Sequence, residues 1–159
     1  MAVTEKYLLA GSNQTLMSTE LNALASSTGP VAGALSSASS SNVPGDGKGD
    51  GYPLMNLELK VTPTSGTFTA GTAAYVWFLT NVSTLETGSG SLLPGRPPDA
   101  IIPITALGTA ATQVVVTVKG IVAPASGQFW TLFAHNLGQT LAGGGVNVLT
   151  AQYYTRQGV

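Results

Sequence analysis

Cysteine is absent from the 159-residue chain. No disulfide framework or thiolate site is open to it. Histidine occurs once, at His135; with no cysteine, a zinc site would have to draw most of its three or four ligands from carboxylates, and none is expected. Charge is almost as scarce. Six Lys or Arg and seven Asp or Glu make up 8% of the chain, with a formal net charge of −1; ordinary domains carry about 25%. With no basic patch to hold phosphate, we expect no nucleic-acid partner. Long apolar runs are missing too. The longest, AAYVWFL at 73–79, falls far short of the roughly 20 residues of a spanning helix, so we expect no membrane segment. The first residues, MAVTEKYLLAGS, carry Glu5 and Lys6 ahead of a very short apolar stretch. This does not read as a signal peptide, and we expect synthesis in a cytoplasm.

What is present is small, polar and uncharged. Ser, Thr, Asn, Gln and Gly must supply solubility, and a surface with so little charge repels copies of itself weakly. We therefore expect a surface that other subunits largely cover. The length suits one domain with a real core. Residues 1–51 are rich in Ser, Thr, Ala, Asn and Gly and read as an irregular N-terminal arm and polar loop region. Within it, Ser18 could cap a short helical turn that puts Leu21, Leu24 and Ala25 on one face. Residues 31–41 could add a strand of small residues.

From residue 52 to 159 the pattern is that of strands. In LMNLELKV at 54–61, Leu57, Leu59 and Val61 alternate with Asn56, Glu58 and Lys60, as in a half-buried strand. Further strands are expected at 74–82, 100–106, 112–122, 128–135 and 146–155. Pro103 marks the third of these six as an edge or a bulge. The connections at 62–71, 83–98, 123–127 and 136–145 are rich in Gly, Ser, Thr and Pro. Seven or eight strands with almost no helix argue for an all-β sandwich or barrel, and no fixed repeat points to a propeller or solenoid.

Two strands are apolar on both faces. Tyr75, Trp77 and Leu79 oppose Val76 and Phe78; Trp130, Leu132 and Ala134 oppose Phe129, Thr131 and Phe133. A lone antiparallel sandwich normally wets one face of each sheet. We expect the outer face here to be covered by residues of the N-terminal region, by another subunit, or by both.

The places where chemistry could sit do not assemble into it. VPGDGKGDGYP at 43–53 resembles a calcium loop only superficially. Asp46, Lys48 and Asp50 would hold the first, third and fifth ligand positions, so an ammonium stands where a cation should bind. The twelfth position, which wants a bidentate Glu, is Leu57. As a phosphate loop it lacks the Ser or Thr after Gly47-Lys48. A hydrated linker is the reading left, and no metal or cofactor is expected. His135 ends an apolar strand with no Gly-x-Ser-x-Gly elbow in the chain, and is expected to bond to backbone. The carboxylates Glu5, Glu20, Asp46, Asp50, Glu58, Glu86 and Asp99 include no pair in an aromatic-rich strand. We expect no enzyme. Tyr75, Trp77, Trp130, Tyr153 and Tyr154 could instead stack on sugars, although aromatics at strand spacing are more often core or interface.

Two stretches carry a resemblance. One is GRPPDAIIPI at 95–104. The other is APASGQFWTLFAHNLGQTLA at 123–142, followed by Asn147-Val148-Leu149. With Asn136-Leu137-Gly138-Gln139, the late Tyr153-Tyr154, and the earlier Leu21-Asn22-Ala23-Leu24-Ala25 and Leu35-Ser36-Ser37-Ala38, they resemble small structural proteins of tailed bacteriophages. The likeness spans most of 16–155. It departs at Gly143-Gly144-Gly145-Val146, and at Ala123-Pro124-Ala125, where that family tends to pair prolines. The resemblance implies a capsid cement, or decoration, protein with a jelly-roll-like sandwich over 52–159. Its partners would be the major capsid protein and copies of itself, a trimer before a dimer. Its location would be the capsid surface of the virion, after synthesis in a bacterial host. Tyr75, Trp77, Arg96, Asp99, Trp130 and Leu132 are the interface candidates. A host- or glycan-binding module on a phage head or tail is the alternative.

Overall fold

The computed structural model describes residues 5–10, 13–26, 39–42, 52–79, 96–110, 112–124 and 128–158. Among them the chain is all-β, with one 3-10 turn at Thr19–Leu21 and no α-helix. The strands are β1 (Glu5–Leu9), β2 (Gln14–Met17), β3 (Ser39–Asn42), β4 (Leu54–Val61), β5 (Thr72–Leu79), β6 (Ala100–Ile104), β7 (Val114–Val122), β8 (Gln128–His135) and β9 (Val148–Gly158). They form two antiparallel sheets. The first has the order β1-β9-β4-β7, with β2 also on β9; the second has the order β3-β8-β5-β6. The pairings are nested. β5 pairs with β6, β4 with β7, β3 with β8 and β2 with β9, all antiparallel. Successive pairs alternate between the two sheets.

Alternation in the sequence explains the clearest strand. In β4, Met55, Leu57, Leu59 and Val61 are buried while Leu54, Asn56, Glu58 and Lys60 are half-buried. The core joins these to Leu149, Ala151 and Tyr153 of β9 and to Val76, Phe78, Phe129 and Phe133 of the second sheet. Phe78 and Phe129 meet edge to face at 5.6 Å, the arrangement that aromatic quadrupoles prefer. β6 lies at a sheet edge, and Pro103 is exposed opposite Ala73. A missing N–H costs little there. In β7, Lys119 and Gly120 together oppose Asn56 between the pairs Met55↔Ile121 and Leu57↔Val118. Gly120 has φ +75° and donates to Asn56 Oδ1 at 3.3 Å. This is a bulge of the kind a glycine in the left-handed region permits.

Strands from the region before residue 51 join both sheets. β1 and β2 run along β9, and β3 runs along β8. Leu16, Met17, Leu21 and Leu24 are core residues. The register shifts between Thr15 and Met17, so two consecutive apolar side chains turn inward and no alternation is left to read. The helical turn falls where Ser18 was expected to cap it, but the Ser18 side chain makes no cap bond; instead the Ser18 N–H donates to Glu20 Oε2 at 3.0 Å. Of its expected face, Leu21 and Leu24 are buried and Ala25 is exposed. The glycine loop at 43–51, the segment 31–38 and most of the 83–98 connection lie outside the described residues.

The connection between β8 and β9 is tied on both sides. Leu141 N–H donates to Leu24 O at 2.9 Å, and Ala142 N–H to Thr62 O at 2.8 Å. Asn147, fully buried, accepts from Thr62 N–H at 2.8 Å and donates to Ala142 O at 2.6 Å. Its carboxamide thus occupies the place of a strand backbone. Gly138 has φ +80°, and a Cβ there would run into Thr69 Oγ1.

Candidate functional site

The two sheets turn unlike faces outward. On the first, Asn56, Glu58, Thr117, Lys119, Thr150 and Gln152, with Asn13 beside them, line a shallow polar depression. Glu58 pairs with Lys60 at 3.0 Å. These polar side chains are half-buried or exposed, as expected of an antiparallel sheet with one side on a core.

The second sheet's outer face is apolar. The register sets Tyr75 opposite Ala134, Trp77 opposite Leu132 and Leu79 opposite Trp130. Trp77, Leu79, Leu132 and Ala134 form a second cluster, separate from the main core, with Tyr75 and Trp130 packed against it. The Tyr75 and Trp77 rings lie 6.4 Å apart, tilted by 39°. Beside them on β6, Ile101 is 52% exposed. The four expected interface side chains on β5 and β8 therefore do come together, but at two depths. Trp77 and Leu132 are 2% and 4% exposed within the single chain. They form the floor of the face, whereas half-buried Tyr75 and Trp130 reach its surface.

Arg96 and Asp99 close one end of this face. Arg96 donates to Asp99 through Nη1 at 2.7 Å and Nη2 at 2.9 Å, a bidentate pair. Arg96 Nη2 also donates to Phe78 O at 2.7 Å, and Asp99 Oδ2 accepts from Phe78 N–H at 2.6 Å. Asp99 N–H donates to Val76 O at 2.9 Å, one residue before β6 begins. The two side chains thus take over from β6 and bond to the β5 backbone where that strand has not yet started. The Arg96 carbonyl accepts from Trp77 Nε1 at 3.1 Å, which satisfies the one polar atom of a buried indole. This geometry ties the chain at 96–99 to the β5 backbone.

His135 is buried and committed to backbone. Nδ1 accepts from Leu137 N–H at 3.4 Å, so Nε2 carries the proton and donates to Leu24 O at 3.1 Å. Burial lowers its pKa from 6.5 to about 4. A neutral, enclosed imidazole with both nitrogens engaged is not placed to relay a proton. Among the described residues, no group of three His, Asp or Glu side chains converges to hold a metal ion; Asp46 and Asp50 lie outside them.

Asn136 was missing from the expected site. Its Oδ1 accepts from Ala73 N–H at 2.8 Å, and its Nδ2 donates to the Tyr75 hydroxyl at 3.3 Å. It therefore fixes the Tyr75 ring on the apolar face. Its position directly after an apolar strand was the available signal. No protein-family model, curated protein or solved structure matches the chain.

Proposed function

We propose that this chain is a non-enzymatic virion protein of a tailed bacteriophage. It would act as a capsid cement that binds across major capsid proteins on the shell surface. The observation that carries the reading is the difference between the two outer faces: one polar, the other aromatic and bounded by the Arg96–Asp99 ion pair. A protein with one wet face and one apolar face has a side for solvent and a side for a partner. The resemblance at 95–104 and 123–142 supplies the kind of partner. We further read the two sheets as a jelly-roll-like sandwich. Nested pairs alternating between two sheets over a shared core support this, and double-sheet jelly rolls are common in viral capsid proteins.

The mechanism is additive. Each copy lays Tyr75, Trp130 and Ile101 on the shell, backed by the rigid floor of Trp77 and Leu132. Rigid aromatics lose little conformational entropy on docking. Many such contacts around a symmetric shell give retention through multivalency, with no need for a charged hot spot. Low net charge keeps repulsion between neighbouring copies small.

The test uses tailed-phage capsid shells that lack this protein. Full-length protein should co-sediment with them and raise their heat resistance. The variant Tyr75→Ser/Trp130→Ser, shown folded by its melting curve, should bind about tenfold more weakly or worse. Equal binding by both would move the contact off this face. Absence of shell binding, together with calorimetric titration of a soluble glycan by the wild type, would replace the cement reading with a glycan-binding one.

A further inference from the structure

The sheet edges of this molecule are not equally defended. β6 has five residues and carries Pro103, and β3 has four residues. The outer edge beyond β9 is split between β1 and β2. β7 differs. It has nine residues, ends the first sheet, and pairs on one side only, with β4, among the described residues. Its sequence is VVVTVKGIV, with one charge, no proline and six β-branched aliphatics. Val115 and Val122 are 52% and 73% exposed. On the core side, Val116 and Val118 pack on the main core yet stay half-buried, so the core is open along this edge. Natural sheets blunt such edges with Pro, charge or short strands. Over Val114–Val118 this aliphatic edge carries none of those devices and is suited to strand addition; Lys119 and the Gly120 bulge come only at its far end.

We propose that β7 pairs with β7 of a second copy of this chain, antiparallel about a twofold axis at Val116, joining the two first sheets into one. The bulge at Gly120 ends the regular ladder, leaving Val114–Lys119 as the usable edge. For the two cores to lie on the same side, core-facing residues must meet core-facing residues. A centre at Val116 does this, setting Val116 against itself, Val114 against Val118 and Val115 against Thr117. β-branched side chains across an antiparallel pair are favourable partners. Lys119, the strand's one charge, then faces Gln113 rather than its own copy, so no like charges meet. The added strand covers the half-buried Val116 and Val118. This pairing is twofold, so it makes the dimer, not the trimer expected from the resemblance, the first assembly step. It does not depend on the cement reading.

The chain contains no cysteine, which makes single-cysteine cross-linking clean. Val115 and Thr117 both lie on the solvent side and are exposed, so Val115→Cys and Thr117→Cys should fold. In this register, position 115 lies directly opposite 117 of the other copy, whereas 115 to 115 and 117 to 117 are roughly 8 Å apart, too far for a disulfide. Under mild oxidation an equal mixture of the two variants should form disulfide-linked dimers, and each alone should form few. Sedimentation of the wild type should show the mean mass rising toward twice that of the chain through the high-micromolar range. Val115→Lys/Thr117→Lys, which opposes like charges twice, should dissociate about tenfold more readily than Val115→Glu/Thr117→Lys, which opposes unlike ones. A wild type that stays monomeric through that range overturns the pairing. Linking by the single variants as efficient as by the mixture, or indifference to the charge pattern, overturns the edge and register.

Discussion

Among the described residues, Tyr153 is the largest enclosed side chain whose polar atom has no partner: it is 2% exposed, and its hydroxyl makes no hydrogen bond. Burial pushes its pKa up, so the phenol stays protonated. An unpaired buried hydroxyl costs desolvation without return, and removing it can be neutral or stabilising. Tyr153→Phe should therefore raise stability by up to about 1 kcal/mol in urea unfolding; a loss larger than that would mean the hydroxyl has a partner in solution. His135 makes stability depend on pH. Its folded-state pKa of about 4 lies below the ordinary 6.5, so the unfolded chain takes up the proton first as pH falls. Stability from this group is full above pH 6.5, declines between 6.5 and about 4, and is lost below that. The loss at pH 5 is about 2 kcal/mol. The unfolding free energy of the wild type should fall between pH 7 and pH 5 by that much more than that of His135→Gln, and parallel curves would contradict it. The backbone bonds of His135 were legible in the sequence, because a lone His at a strand end has few other uses. The part played by Asn147 was not, since the Thr62 N–H it meets lies 85 positions away.

Among the elements, legibility followed periodicity. β4 has strict alternation, and its expected and observed limits coincide at 54–61. β8 likewise spans Gln128–His135 as expected, because turn residues flank a largely apolar stretch. β2 was not legible, since its register shift buries Leu16 and Met17 side by side. β1 and β3 offered only short sequences, EKYLL and SSSN, that become strands by pairing with β9 and β8, which is a tertiary effect. The apolar outer face of the second sheet was legible as a face, but its division into floor and surface depends on what packs above Trp77, and no local pattern encodes that. The join between β5 and β6 gives the test at this scale. A solvated ion pair is worth about 0–1 kcal/mol, but Arg96 also bonds to Phe78 O, and its loss leaves Asp99 unneutralised beside the β5 backbone. Arg96→Ala should cost about 1–2 kcal/mol in urea unfolding, with faster amide exchange at Phe78. Unchanged stability and exchange would return the pair to two solvated charges.

The whole molecule combines scarce charge, one wet face and one aromatic face. Each half of that description rests on different residues: Asn56, Thr150 and Gln152 on the first sheet, Tyr75 and Trp130 on the second. The cement account requires the molecule to dock with a fixed orientation, aromatic face down and polar face out. Hydroxyl-radical footprinting of the protein, free and then bound to capsid shells, reads this orientation directly, because Tyr and Trp side chains report their own solvent exposure. Labelling of Tyr75 and Trp130 should fall severalfold on the shell, while Lys60 and Lys119 keep their reactivity toward an amine reagent. Protection of the two lysines with Tyr75 and Trp130 still labelled as in the free protein would contradict it.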